Sequence, residues 1–344
     1  MTARLRINRS ALAQNYRLFQ NRVDGEVGAV VKADAYGVGL TDVCQVFAEL
    51  GCRHFFVAQA AEGLMVRRML ADAEIFVFEG VWPGTAEALV DADLTPVINH
   101  EAQLATWRPQ RRRPVAVHVD TGMHRLGFSS DLRVSQFDGF DVCLLMTHLA
   151  CADAPSRPEN GAQLDRFAAV ARRFNGVKTS IGNSAGALSG PEFQGDLTRA
   201  GIGLYGGNPF EDAPNPMQPV ATLEARIVQT REVPAGAPVG YGATNSADHD
   251  RRIAVLGLGY ADGLPRTLSN KGEVVVSGQR CPIVGRISMD LTDVDISDVD
   301  ASVGDWVEVF GSTLLVDEVA ALADTIAYEV LTGIGSRVLR VFED

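Results

Sequence analysis

A closed parallel α/β barrel followed by a mostly antiparallel β domain is the architecture this sequence predicts. Two observations carry it. From about residue 27 to about 206, strand-like runs alternate with helix-like stretches. A series of about eight such units closes into a barrel rather than spreading as an open sheet. A proline-dense, aperiodic segment at 208–219 then gives way to strand-like pieces separated by turns, the pattern of an antiparallel domain. The expected division is 1–215 for the (β/α)8 TIM-like barrel and 216–344 for the β domain.

The barrel strands are expected at 26–32, 55–58, 75–78, 94–98, 115–120, 142–147, 177–181 and 201–205. Each is a short apolar run bounded by turn residues. Helical periodicity marks 41–50, 60–70, 85–90 and 163–174 between them. Beyond the linker, strands are expected at 222–233, 253–258, 273–276, 282–287 and 306–310, with one helix at 316–323.

The bulk composition narrows the function classes. The chain has 344 residues, 46% hydrophobic and 22% charged, which fits a soluble globular protein. A formal net charge of -12 argues against a general nucleic-acid binder and against docking on an anionic membrane. No apolar run reaches the ~20 residues of a membrane span. The first ten residues lack the apolar core of a signal peptide. The five cysteines are odd in number and none has CxxC spacing, so reduced thiols in the cytoplasm are expected. The histidines do not fall at metal-ligand spacing.

The chemistry begins with Val30-Val31-Lys32-Ala33-Asp34-Ala35-Tyr36-Gly37. A valine-rich run ends on a lysine. Two readings stand at this point: an ammonium solvated past a strand end, or a Schiff-base lysine. In such barrels the C-terminal strand ends form the active face. Lys32, the loop at 120–128, His148, the loop at 181–186 and the segment at 199–206 all fall there. The last two are glycine-rich and occupy the usual phosphate position, with Ser184 as a hydroxyl donor. A phosphate cradle opposite a strand-end lysine points to pyridoxal 5'-phosphate.

With these motifs, and with Gly259-Tyr260-Ala261-Asp262-Gly263 and Gly285-Arg286-Ile287-Ser288-Met289-Asp290, the chain resembles the alanine racemases over nearly its whole length. The resemblance implies a role at each matching position. Lys32 forms the Schiff base with the cofactor and is one catalytic base. Tyr260 is the second base and serves the partner subunit of a homodimer. Tyr36, Ser184, Gly201 and Ile202 hold the phosphate. Arg199 meets the pyridine nitrogen, and His148 lies beside it. Arg125 approaches the substrate carboxylate, and Met289 lines the substrate pocket. The implied activity interconverts L- and D-alanine, supplying D-alanine for bacterial peptidoglycan. A broader-specificity racemase of the same fold and a non-catalytic carrier of the cofactor are the alternatives.

Two departures stand out. Many relatives carry a lysine, modified to a carbamate that steadies the arginine, where this chain has His118. Many also carry a tyrosine where this chain has Ser336. The smaller residue leaves room for a larger substrate such as serine.

Overall fold

A computed structural model describes residues 1–344. Eight parallel strands lie side by side in the order Leu197–Ala200, Glu26–Val30, His54–Val57, Glu74–Val77, Leu94–Ile98, Pro114–Asp120, Asp141–Met146 and Lys178–Ser180. Pairs such as Ala29 with Phe55, Phe56 with Phe76 and Val97 with Ala116 set the register. The strands are buried almost throughout because helices cover the outer face. Stacked Phe56, Phe76 and Phe78 fill part of the space between them, with ring centroids 4.8 and 5.5 Å apart.

The ladder stops between Lys178–Ser180 and Leu197–Ala200. There Ser180 Oγ donates to the Leu197 carbonyl, and Arg199 N–H donates to the Gly182 carbonyl at 2.8 Å. The ring is therefore closed by side-chain and loop bonds at the edge that carries Arg199.

The β domain is built around the long strand Ala221–Val233. One part pairs with Trp306–Phe310 and the other with Arg251–Leu256, with a register shift between Ile227 and Gln229. Both chain ends enter this sheet. Ala3–Asn8 runs antiparallel to Ala221–Val233 and parallel to Leu339–Glu343. The expected division groups residues 3–8 with the barrel, whereas their strand lies in the other sheet. Their alternation explains it: Ala3, Leu5 and Ile7 are buried and the residues between are not, the mark of a half-buried antiparallel strand. One core of 88 buried residues runs through both halves, so barrel and β domain pack as one body.

Two further expectations are corrected. The eighth barrel strand is Leu197–Ala200, and Ile202–Tyr205 is a 3-10 turn. Thr198 and Arg199 break the apolar pattern yet are buried. The expected strand at 282–287 is irregular, the strand being Gln279–Pro282.

Candidate active site

The first barrel strand stops at Val30 because the chain then winds left-handed. Ala33, Asp34, Ala35 and Tyr36 all have φ between 53° and 57°. An L-residue there costs about 1–2 kcal/mol, so four in succession concentrate strain at the lysine. Several groups hold the turn. The Glu62 carboxylate accepts N–H bonds from Ala33 at 2.6 Å and Ala58 at 2.8 Å. Asp34 Oδ1 accepts from Leu40 N–H at 2.8 Å. Arg340, from the C-terminal strand, donates to the Gly37 carbonyl at 2.9 Å. Gly37 has φ 78°, and a Cβ there would collide with the Leu331 carbonyl. Only glycine lets the turn dock on the helix Ala327–Thr332.

Lys32 is half-buried at the start of this turn. Its Nζ stands 5.9 Å from the centroid of the Phe78 ring. Burial lowers its pKa, the Arg125 charge lowers it further, and Glu62 opposes both. The amine is thus easier to deprotonate than a solvated one.

The left-handed turn aims Tyr36 across the barrel mouth. Its ring stacks on Tyr205 at 4.7 Å, and Tyr205 is fixed by donating to the Val30 carbonyl at 2.8 Å. The Tyr36 hydroxyl faces Gly201 so closely that a Cβ there would sit 2.5 Å from it. Ser184 Oγ accepts N–H bonds from Gly201 at 2.8 Å and Gly203 at 3.2 Å. Its own proton stays free to donate. Ile202 opens a 3-10 turn, so its N–H has no acceptor within that turn. Two hydroxyls and a backbone N–H therefore converge, as a phosphate requires.

Arg199 occupies the closing edge of the barrel and is 3% exposed. Nη1 donates to Ser180 Oγ at 2.6 Å, and Nη2 donates to the carbonyls of Thr147 at 2.6 Å and Ile181 at 3.2 Å. Burial brings its pKa down to about 10, so it remains a cation near neutral pH. Nη2 also lies 3.5 Å from His148 Nδ1. An arginine only donates, so Nδ1 is the acceptor and Nε2 carries the hydrogen. Burial, then Arg199 and Arg125, holds His148 well below its ordinary pKa.

His118 points to the same region from Pro114–Asp120. Its Nδ1 lies 2.9 Å from Asn99 Oδ1. The Asn99 amide nitrogen donates to the carbonyls of Phe78 and Val97. The Asn99 oxygen is left as acceptor, which fixes the hydrogen on His118 Nδ1. Burial, with Arg199 next, pulls His118 down to about 4. It is a neutral imidazole at working pH.

Arg125 is exposed on the loop that follows. Asp120 Oδ1 orders that loop by accepting the N–H groups of Gly122, Met123 and His124 at 2.9, 3.0 and 3.1 Å. Lys32, Arg125, His118, His148 and Arg199 thus share one mouth with excess positive charge.

Tyr260 and Met289 lie elsewhere. Both are on the β domain, 43% and 53% exposed, and no hydrogen bond joins them to the mouth. Tyr260 N–H donates to the Ser288 carbonyl at 3.1 Å, and Ala261 N–H to the Met289 carbonyl at 3.0 Å. The two are thereby held as a pair. Asp262 fixes the turn, accepting from Gly259 N–H at 2.9 Å and from Arg337 Nε at 2.9 Å. Ser336 is exposed next to that arginine.

Phe78, Glu62 and Asn99 are site residues that the sequence pattern does not single out. Phe78 ends an expected strand, and that position was a usable signal. Glu62 and Asn99 act through distant partners, which spacing does not reveal.

The fold and this mouth define a class: a barrel enzyme with a depressed lysine opposite an anion cradle, joined to a β domain. The comparisons make it particular. Residues 7–209 match the model "Alanine racemase, N-terminal domain", and residues 220–342 match "Alanine racemase, C-terminal domain". The chain belongs to the alanine racemase family. It is 43% identical over 364 residues to a biosynthetic alanine racemase of Agrobacterium fabrum, covering 98% of this chain and 93% of the relative. It is 42% identical over 356 residues to the alanine racemase of Rhodospirillum rubrum, covering 98% and 95%. Among solved structures, the alanine racemase of Bartonella henselae with covalently bound pyridoxal phosphate superposes with a TM-score of 0.95 at 35% identity, covering both chains fully. The biosynthetic enzyme of Pseudomonas aeruginosa gives 0.93 at 34%, covering 100% of this chain and 99% of the other.

Proposed function

We infer that this chain interconverts L- and D-alanine using pyridoxal 5'-phosphate, and so supplies D-alanine for the cell wall. The observation that carries the reading is the barrel mouth itself: a depressed lysine, a free-donor cradle and a buried arginine with no carboxylate partner. The residues fit the cofactor. Tyr36, Ser184, Gly201 and Ile202 suit its phosphate. The Arg199 Nε–H, which has no partner in the chain, suits its ring nitrogen. Lys32 suits its aldehyde. Bound there, the cofactor makes the α-proton of an amino acid acidic.

The chain's own groups do the rest. Arg125 holds the substrate carboxylate, with Met289 against the substrate. The Lys32 amine takes or returns the α-proton on one face. The Tyr260 phenol does the same on the opposite face. Arg199 donates to the ring without surrendering its proton, and His148 relays its charge toward the phenol. Neutral His118 leaves the local charge to the two arginines.

In this reading Tyr260 belongs to the site of a second copy, and the enzyme is a cytoplasmic homodimer. Supporting this, Tyr260 and Met289 are open on the surface of one chain, and no helix is long and apolar enough to cross a membrane. The family match over 220–342 argues against a carrier built of the barrel alone.

The test is an absorbance spectrum of the purified protein before and after borohydride, with peptide mapping of the reduced adduct. The expected result is visible absorbance lost on reduction and a pyridoxyl label on Lys32. Labelling of another residue, or a colourless protein that stays inert with added cofactor, contradicts the reading.

A further inference from the structure

The helix Pro158–Ala171 turns Asn160, Gln163, Phe167 and Val170 inward. Its buried stripe is apolar at one end and carries amides at the other. A buried amide is costly unless every polar atom is bonded. Gln163 is 1% exposed and meets that condition. Its Oε1 accepts from Ala150 N–H at 2.8 Å. Its Nε2 donates to Thr121 Oγ1 at 3.1 Å and to the His148 carbonyl at 3.1 Å.

The hydroxyls beyond Gln163 have a forced direction. Thr147 Oγ1 donates its single proton to the Val119 carbonyl at 2.8 Å. The 2.7 Å contact between Thr121 Oγ1 and Thr147 Oγ1 must therefore use the Thr121 proton. The chain runs from the Gln163 amide to Thr121, to Thr147, to Val119. Thr121 and Thr147 are 1% and 0% exposed. The Thr147 carbonyl also receives Arg199 Nη2 at 2.6 Å. One turn along the helix from Gln163, Arg166 Nε donates to the Thr121 carbonyl at 2.5 Å.

We propose that Gln163, acting through Thr121 and Thr147, is a positioning residue that fixes the Arg125 loop against the wall carrying His148 and Arg199. Thr121 is the second residue of that loop, four before Arg125. Without the hydroxyl chain, the loop keeps the Arg166 bond to the Thr121 carbonyl but loses its direct tie to Thr147 on the wall. The Asp120 cap would keep the loop's internal shape and not its angle. The proposal rests on the racemase reading, in which Arg125 receives the substrate carboxylate. A satisfied buried network of this kind is rigid, and its loss is felt at the group it aims.

The test compares Thr121→Val, which keeps shape and removes the hydroxyl, with Thr121→Ser, which restores it. The holoenzyme is assayed for kcat and KM with alanine, and acetate binding is measured by calorimetry. Thr121→Val should raise KM and the acetate Kd about tenfold, change kcat less than threefold and keep the bound-cofactor absorbance. Thr121→Ser should return both constants to within about twofold of the parent. If Thr121→Val does not fold, Gln163→Met is read by the same ratios. Unchanged KM and Kd in the valine variant, or equal losses in valine and serine variants, overturn the proposal. An unsubstituted holoenzyme that binds acetate but does not racemise alanine overturns the racemase reading instead.

Discussion

The barrel mouth and the Tyr260 turn are built to different standards of completeness. In the mouth, Arg199 is 3% exposed and Ser184 is 2% exposed, and each is bonded to groups from other segments of the barrel. On the β domain, Tyr260 is 43% exposed and its side chain has no partner, although its backbone N–H is held by the Ser288 carbonyl and Asp262 caps the preceding Gly259. In the proposed reading, one chain therefore presents a finished cofactor cradle and only half of each proton-transfer pair. A rigid backbone under an exposed phenol is what a residue needs if its target lies on another copy.

The largest expected effect falls on the finished side. Lys32→Ala should lower racemisation by at least about 10⁴-fold and abolish the borohydride-sensitive absorbance. Tyr260→Phe should cost about 10²–10⁴-fold and leave that absorbance in place. Equal loss of absorbance in both variants, read by spectrophotometry, would erase the contrast between the two regions.

A smaller effect sharpens the account of the mouth. His118 titrates at about 4 in the folded chain and at 6.5 unperturbed. Its folded pKa is lowered, so acid favours the unfolded state, which binds the proton more readily. The stability it contributes is full above pH 6.5 and is lost as pH falls toward 4, with a size of about 3 kcal/mol. Denaturant unfolding across that range should show a slope that His118→Asn reduces, the share from His148, also held below its ordinary pKa, remaining. Identical slopes in parent and variant would mean that the imidazole is not buried as a neutral base.

The smallest effect concerns the substrate side of the β domain. Ser336→Tyr should cut serine turnover relative to alanine by about tenfold, the low end of the ~1–3 kcal/mol by which a changed pocket side chain discriminates between such substrates. Ratios of kcat/KM for the two amino acids decide it, and an unchanged ratio removes Ser336 as the source of any breadth.

Much of this is legible in the amino-acid sequence. Lys32, Arg125, His148, Ser184 and Arg199 were placed at strand ends by pattern, and they do share one mouth. The glycines at 201 and 203 marked the cradle. What stayed hidden had physical causes. The strand Leu197–Ala200 carries a buried arginine and threonine, so its hydrophobic signal was broken by the residues that give it a function. The left-handed turn at Ala33–Tyr36 has no sequence mark, because neither alanine nor tyrosine favours positive φ; Glu62, Arg340 and Leu331 impose it from other segments. Ala3–Asn8 falls within the expected barrel segment 1–215 because its sheet partners lie more than two hundred residues away. The pairing of His118 with Asn99 depends on an amide orientation that only the surrounding carbonyls settle.

The division of labour between subunits has a direct measurement. Lys32→Ala and Tyr260→Phe proteins, each nearly inactive, are mixed under conditions that exchange subunits. If Tyr260 serves the neighbouring copy, each mixed dimer contains one site with both native bases, and random exchange should restore about a quarter of the parent activity. If the mixture stays as inactive as its components while mixed dimers are demonstrably formed, both bases act within one chain and the account is contradicted.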